Sequence, residues 1–244
     1  MRKELGYLTY FRLKGENGGC EADSYINLED FEIADLFRED EPAWEVIKRL
    51  SDYVALLFGN RRVKRISSRV RKEYEEKFII VERNVSIGQG TTICEFTSIK
   101  NDVVIGKNCL IGQNVLLRGP LILGDGCIIG YGGEVVASVF LPGAIAAHQN
   151  FVGHSILGRG VNLGAGAKTA NWKLDESEIS VISPEGRIFT GLKKFGAVVG
   201  DGCSIGCNSV LNPGALLGKS CRVGPLVAVP NCFFPKGTVI RKEA

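Results

Sequence analysis

A six-residue period dominates the C-terminal two-thirds of the chain. An aliphatic residue recurs at every sixth position over ten repeats, at Ile87, Ile93, Ile99, Ile105, Ile111, Leu117, Leu123, Ile129, Val135 and Leu141. The aliphatic positions resume in two later stretches, at Val152, Leu157 and Leu163, and at Val199, Ile205, Leu211, Leu217 and Val223. A period of six predicts a parallel β-helix, in which each face of a triangular coil uses one repeat and stacking buries the aliphatic side chain. The pattern is interrupted at about 142–151 and 170–195, and we expect loops to leave the coil there.

Glycine and cysteine usage fits such a coil. The chain has 31 Gly in 244 residues, about twice the average usage, and glycine suits corners with positive φ or close backbone approach. Cys109, Cys127, Cys203 and Cys221 each lie four residues after an aliphatic repeat position, and each pair is eighteen residues apart. We therefore expect stacked, reduced thiols in the interior, and neither disulfides nor a metal site.

The first 84 residues differ in composition and contain more than half of the charged residues. We predict an N-terminal extension over 1–84 and a β-helix domain over 85–244. Within the extension, Asp40-Glu41-Pro42 precedes apolar residues at helical spacing, and Gly59 follows them. This pattern predicts one amphipathic helix with an apolar side formed by Trp44, Ile47, Leu50, Val54 and Leu57.

The charge balance disfavours a polyanion as the main partner. The formal net charge is +3, far below the excess of a dedicated nucleic-acid-binding protein. The basic segment RRVKRISSRVRK is followed by EYEEK, so we interpret it as a solvated connection rather than a nucleic-acid contact. No stretch approaches the roughly 20 apolar residues of a membrane span. We expect no membrane partner, no signal peptide and a cytoplasmic location.

Four segments within residues 105–230 carry a family resemblance. They are, in order, VLLRGP, AAHQNFVGHSILG, VNLGAGAKTANWKLD and TGLKKFGAVVGDGCSIG. They resemble the C-terminal acetyltransferase domain of bifunctional N-acetylglucosamine-1-phosphate uridyltransferase/glucosamine-1-phosphate acetyltransferases and archaeal-type sugar-1-phosphate nucleotidylyltransferases, which are hexapeptide-repeat acyltransferases. The resemblance implies a mainly β fold, a left-handed parallel β-helix with a small α/β N-terminal extension. It also implies an acetyl-CoA-dependent N-acetyltransferase that acts on an amino-sugar phosphate or a sugar nucleotide, works as a homotrimer and needs no metal.

The resemblance assigns roles to five residues. His148 matches the general base that takes a proton from the substrate amine, a task that suits a neutral imidazole. Asn171 and Asn162 match residues that contact the substrate, and Arg118 matches the arginine that holds the sugar phosphate. Glu134 matches an acidic residue of the cleft wall. His154 is interpreted as a structural turn residue, at a position where relatives often have Asp.

Departures from the family pattern leave the acceptor open. Val136 replaces the family Lys, and Phe151, a substrate-contact position, replaces the family Tyr. A further family Lys is out of register, and we expect Lys173, Lys193 or Lys194 to replace it, with Lys173 taken as the candidate. Cys207 and Arg222 are the candidate coenzyme A contacts.

Two functional hypotheses therefore remain. His148 and Asn171 favour an enzyme. Val136 and Phe151 favour a non-catalytic β-helix subunit that oligomerises or regulates a separate sugar nucleotidyltransferase. The first 84 residues lack a Gly-rich signature of the L-x-x-G-x-G-T-R kind, so we expect no nucleotidyltransferase activity.

Overall fold

The chain folds mainly into a coil of short parallel strands. The computed structural model describes residues 24–38, 41–183 and 186–241. In chain order, the strands in these ranges are β1 (Ile80–Val81), β2 (Val85–Ile87), β3 (Thr92–Ile93), β4 (Ser98–Ile99), β5 (Val103–Ile105), β6 (Leu110–Ile111), β7 (Leu116–Arg118), β8 (Leu121–Leu123), β9 (Ile128–Tyr131), β10 (Glu134–Val136), β11 (Val139–Phe140), β12 (Ile145–His148), β13 (Phe151–Gly153), β14 (Ile156–Leu157), β15 (Asn162–Leu163), β16 (Lys168–Thr169), β17 (Ser180–Ser183), β18 (Gly186–Phe189), β19 (Ala197–Val199), β20 (Ser204–Ile205), β21 (Val210–Leu211), β22 (Ala215–Leu217), β23 (Arg222–Val223), β24 (Ala228–Val229), β25 (Phe233–Phe234) and β26 (Val239–Ile240).

Three sheets of eight parallel strands form the faces of the coil, which confirms the predicted parallel β-helix. Face 1 contains β1, β4, β7, β10, β13, β16, β21 and β24. Face 2 contains β2, β5, β8, β11, β14, β19, β22 and β25, and face 3 contains β3, β6, β9, β12, β15, β20, β23 and β26. The antiparallel hairpin β17–β18 lies outside these faces, in the excursion after β16. The expected interruption at about 170–195 is therefore an insertion at the corner between face 1 and face 2.

The strict six-residue count fails once in the first series. Ile80 pairs with Ser98, eighteen residues later, but Leu123 pairs with Phe140, seventeen residues later. Phe140 consequently lies in the interior cluster, and Leu141 packs in a second cluster outside the coil. The prediction of an inward Leu141 is wrong because this coil is one residue shorter than the period.

No loop leaves the coil at 142–151. Strands β12 and β13 continue faces 3 and 1 through this segment, and Ala146 fills the inward position. The expected loop is wrong. The repeat pattern looks for a large aliphatic residue at each inward position, whereas the coil has the small side chain of Ala146 there.

The four interior cysteines lie where the sequence predicts them. Cys109, Cys127, Cys203 and Cys221 are all buried free thiols. The Cys127 thiol donates to the Leu141 carbonyl oxygen at 3.3 Å, and burial raises the pKa of Cys127 to about 12. These four side chains fill the interior of the coil.

Thiol labelling will distinguish interior from surface cysteines. A polar maleimide should modify Cys207, which is exposed, quickly in the native protein, because thiolate formation and access control the rate. The four interior thiols should react only after denaturation, as measured by peptide mass mapping. Fast native modification of several interior thiols would contradict the assigned repeat phase.

The described part of the N-terminal extension covers the outside of face 2. Helix α1 (Glu45–Gly59) confirms the predicted amphipathic helix, whereas Asp40 of its expected start lies outside the described residues. The second cluster joins α1 to the outward residues of face 2, including Val104, Ile122, Val139, Leu141, Ile156, Val198, Leu216 and Phe233. Ala34–Leu36 forms a 3-10 helix next to α1. The extension therefore shares a hydrophobic core with the coil.

Helix α2 (Ser68–Glu75) contacts the first coil through β1. The Ser67 hydroxyl caps α2 by accepting from the Val70 N–H at 3.2 Å. In the basic segment, Arg62 pairs with Asp35 at 2.7 Å, and Arg65 lies over the Phe58 ring. Among the described residues, no helix is long and apolar enough to cross a bilayer.

Candidate functional site

A pocket of about 420 Å³ opens at the corner where face 1 turns toward face 2. Its lining combines cationic, aromatic and amide side chains, from Arg118, Val136, Phe151, His154, Asn171, Trp172 and Lys194. Arg118 pairs with Val136 in the next coil, and Val136 pairs with Gly153 in the coil after that. Residues far apart in sequence therefore meet because the coil stacks them.

His154 and Asn171 form the polar centre of the pocket. His154 Nδ1 lies 2.8 Å from Asn171 Nδ2. Gly153 leaves room for this amide, because a Cβ atom there would lie 2.4 Å from Asn171 Nδ2. The His154 N–H donates to the Val136 carbonyl, and its own carbonyl accepts from the Gly196 N–H. Both neighbouring coils thus hold the His154 backbone, and the sequence-based interpretation of His154 as a structural turn residue misses its place in the pocket.

The ring of His154 is neutral at pH 7. Burial lowers the pKa of His154 to about 4, and the charges of Lys194 and Arg118 act in the same direction. A half-buried, neutral imidazole near two cations can donate or accept a hydrogen bond without adding charge.

The depressed pKa of His154 predicts a loss of stability in acid. The unfolded chain binds more protons than the folded one between pH 6.5 and about 4, so stability falls as pH falls through this window. After discounting for partial exposure, we expect His154 to contribute about 1–2 kcal/mol of this loss. Urea unfolding at pH 7 and pH 4.5 should show a smaller pH dependence in His154→Gln than in the wild type. An identical pH dependence in the two proteins would refute this assignment.

The two cations of the pocket differ in their partners. Arg118 donates to the carboxylate of Glu134 on face 1. The Lys194 ammonium lies 5.7 Å from the centre of the Trp172 ring, and none of the carboxylates that the structure describes forms an ion pair with it. Glu134 therefore holds Arg118 rather than lining the pocket itself, and Lys194 brings an uncompensated charge.

The structure does not bring Lys173 into the pocket. Its ammonium contacts the Ser177 hydroxyl and lies 3.6 Å from the Asp175 carboxylate, within the turn of the excursion. Lys194, at the end of the excursion, takes the place predicted for Lys173. The sequence gives three candidate lysines, and the path of the inserted hairpin determines which of them lines the pocket.

His148 lies at the other edge of face 1. It ends β12, pairs with Tyr131 and is exposed. Its N–H donates to Asn150 Oδ1 at 3.0 Å, and the buried Asn150 amide donates to the carbonyls of Gly164 and Ala167. Asn150, which the sequence does not single out, therefore fixes the turn that presents His148. Five residues, which include the three-residue strand β13, lie between His148 and His154 along face 1.

The predicted coenzyme A contacts and Asn162 lie on face 3 or its edge. Asn162 pairs with Ser204, and Ser204 pairs with Arg222, so all three belong to consecutive coils. Asn162, Arg222 and Cys207 are exposed. Cys207 lies two coils, about 10 Å, from His148 along the same corner. A single chain does not bring Asn162 or Arg222 to the pocket.

The family model for the bacterial transferase hexapeptide (six repeats) matches residues 78–119 and 102–136. These residues are hexapeptide repeats of the bacterial transferase type. The hexapeptide resemblance drawn from the sequence is thereby confirmed. Among the residues that the structure describes, no three His, Cys, Asp or Glu side chains are grouped so as to hold a metal ion.

Similar proteins share the hexapeptide region. A bifunctional sugar-1-phosphate nucleotidylyltransferase/acetyltransferase of Sulfurisphaera tokodaii is 37% identical over 92 residues, which are 38% of this chain and 23% of that protein. YaiX of Escherichia coli K12, an uncharacterised protein named as an acetyltransferase, is 36% identical over 111 residues, which are 45% of this chain and 48% of YaiX. The chain thus spans about a quarter and about half of the length of these relatives.

A solved UDP-N-acetylglucosamine acyltransferase of Francisella novicida is 18% identical and superposes with a TM-score of 0.37. The superposition covers 67% of this chain and 54% of that protein.

Proposed function

We propose that the protein is an acetyl-CoA-dependent N-acetyltransferase that acts on an amino-sugar phosphate or a sugar nucleotide. The observation that carries this proposal is the placement of an exposed His148 and a cationic pocket at opposite edges of face 1. Only the three-residue strand β13 and the turns at its two ends separate the two sites, and in this proposal one acceptor places its amine at His148 and its phosphate in the pocket. The hexapeptide repeats of the same chain support transfer of an acyl group.

The reaction follows from these positions. Arg118 and Lys194 attract the phosphate of the acceptor, since a guanidinium and an ammonium both bind phosphate oxygens. His148 takes a proton from the amine as its nitrogen attacks the thioester carbonyl of acetyl-CoA. A C–N bond forms, and backbone N–H groups stabilise the tetrahedral oxyanion. The C–S bond then breaks, and the proton passes from His148 to the departing thiolate of coenzyme A.

A second copy of the chain completes the site in this proposal. Face 2 is covered by the extension, whereas Asn162 and Arg222 are exposed on face 3. If face 3 of one copy packs beside face 1 of the next, Asn162 reaches the acceptor and Arg222 reaches the donor. Coenzyme A would lie along the His148 corner, past Ala165 and Cys207.

We expect a homotrimer in solution. Light scattering after gel filtration should give about three times the chain mass of 26.4 kDa, because a closed ring of three copies lets every face 1 meet a face 3. A monodisperse monomer at micromolar concentration would contradict the shared site.

Thiol release from acetyl-CoA tests the activity. The assay supplies glucosamine 1-phosphate, glucosamine and sugar nucleotides, and is corrected for the protein's own cysteines. Release that depends on an amino-sugar phosphate or amino-sugar nucleotide supports the proposal. No release with any acceptor favours the second candidate, a non-catalytic subunit of a sugar nucleotidyltransferase, which the apolar Val136 and Phe151 of the pocket wall also favour.

A further inference from the structure

The pocket contains a polar group that this mechanism does not use, the imidazole of His154. We propose that His154 determines acceptor specificity, because Asn171 fixes its ring so that the Nε2–H donates a hydrogen bond to a phosphate oxygen. This inference rests on the proposed function and identifies the phosphate as the group of the acceptor that the pocket binds.

The hydrogen bond with Asn171 sets the tautomer. Asn171 Nδ2 can only donate, so His154 Nδ1, at 2.8 Å, accepts and carries no proton. The proton of the neutral ring therefore resides on Nε2.

The Nε2–H faces accessible space. Among the described residues, no buried side-chain nitrogen or oxygen lacks a hydrogen-bond partner, and within the same ranges Nε2 has no protein partner. It is consequently accessible, and His154 lines the pocket. Its backbone cannot turn away, because both neighbouring coils bond to it and its φ is fixed at 49°.

The surrounding groups select the ligand chemistry. Arg118, Lys194 and His154 all present donors, so the pocket favours a ligand rich in acceptor oxygens and negative charge. Phosphate satisfies this requirement with several oxygens on one atom. Because Glu134 already compensates part of the Arg118 charge, a neutral donor adds a bond to the phosphate without a third positive charge.

Imidazole NMR of the full-length protein tests the proposal directly, since the chain contains only two His. The spectrum of His148→Gln assigns the two rings. In the wild type, we expect His154 to show protonated Nε2 and bare Nδ1 before and after titration with inorganic phosphate. Phosphate should shift the His154 signals saturably. A ring protonated on Nδ1 alone, or signals unmoved by phosphate, would overturn the proposal, and neither result requires a variant at position 154.

Two matched variants separate the effect of the hydrogen-bond donor of His154 from the effect of its side-chain size. Gln at position 154 places an amide N–H near the original Nε2, whereas Leu fills the space without a donor. Phosphate affinity is read in every variant from the indole signal of Trp172, which lines the pocket and is 41% exposed. We expect His154→Leu to weaken phosphate binding about 10-fold, the usual scale for a hydrogen bond to a charged group. His154→Gln should stay within about 3-fold of the wild type, and equal weakening in both variants would refute the donor role.

Acetyl transfer separates this inference from the proposed function. If the wild type acetylates glucosamine 1-phosphate and His154→Leu has an unchanged KM for it, the role of His154 is refuted while the function stands. If no acceptor is acetylated but phosphate binding depends on His154 as described, the function is refuted while the role of His154 in binding phosphate is supported.

Discussion

Replacing His148 by Gln should lower kcat for acetyl transfer about 10²–10⁴-fold, the usual effect of losing a positioned general base. Gln keeps the size and polarity of the ring but cannot take the proton of the attacking amine. His148 is exposed, and its backbone bond to Asn150 remains, so the fold and the pocket at the opposite edge of face 1 should be unaffected. The KM for the acceptor should therefore change little.

A neighbour at the same corner provides the control. Gln113 is exposed and lies two coils before His148, and Gln113→Ala should retain wild-type activity. The limb of the pH–rate profile that reports deprotonation of the base should also disappear in His148→Gln. An unchanged rate with the wild-type profile would remove His148 from the mechanism and leave His154 as the remaining imidazole.

The six-residue repeat makes the fold predictable, because each aliphatic residue of the series occupies an equivalent inward position of the coil. Ile99, Ile105 and Ile111 all lie in the interior cluster. The count fails at Phe140 because a coil tolerates the loss of one residue at a corner without losing its stacking. A periodic rule cannot show such a deletion when both candidate residues, Phe140 and Leu141, are large and apolar.

The pocket was only partly predictable. Arg118, Phe151 and Asn171, which are candidates from the sequence, line it. The sequence does not separate Lys194 from Lys173 and Lys193, because the length and path of the inserted hairpin decide which lysine returns to the coil. The sequence does not place His154 in the pocket, because one His in a sequence carries no sign of its partial burial or of its bond to Asn171.

The N-terminal extension shows a different limit. An amphipathic pattern indicates that one side of a helix is buried, but it does not identify the surface that buries it. The outward residues of face 2 are apolar as well, for example Ile122 and Val139. The six-residue period identifies only the inward aliphatic residues, so it does not show this second apolar surface.

Replacing Trp44 by Ala should destabilise the protein by about 3–5 kcal/mol, the usual cost of removing a fully buried aromatic side chain. Trp44 is 2% exposed and packs on Phe195, with ring centres 6.2 Å apart. Phe195 belongs to the segment that re-enters the coil, next to Lys194, so this contact joins the extension to the wall of the pocket. Urea unfolding followed by far-UV circular dichroism, at one fixed protein concentration, measures the change.

Leu56→Ala, on the same helix but 49% exposed, is the matched control and should cost less than about 1 kcal/mol. Because the extension and face 2 share one core, we expect Trp44→Ala to shift a single cooperative transition. A separate early transition, with unfolding of the β-helix itself unchanged, would show that the extension docks without stabilising the coil. Cooperative loss would instead mean that residues 24–38 and 41–58 help to hold face 2 and, through Phe195, the position of Lys194.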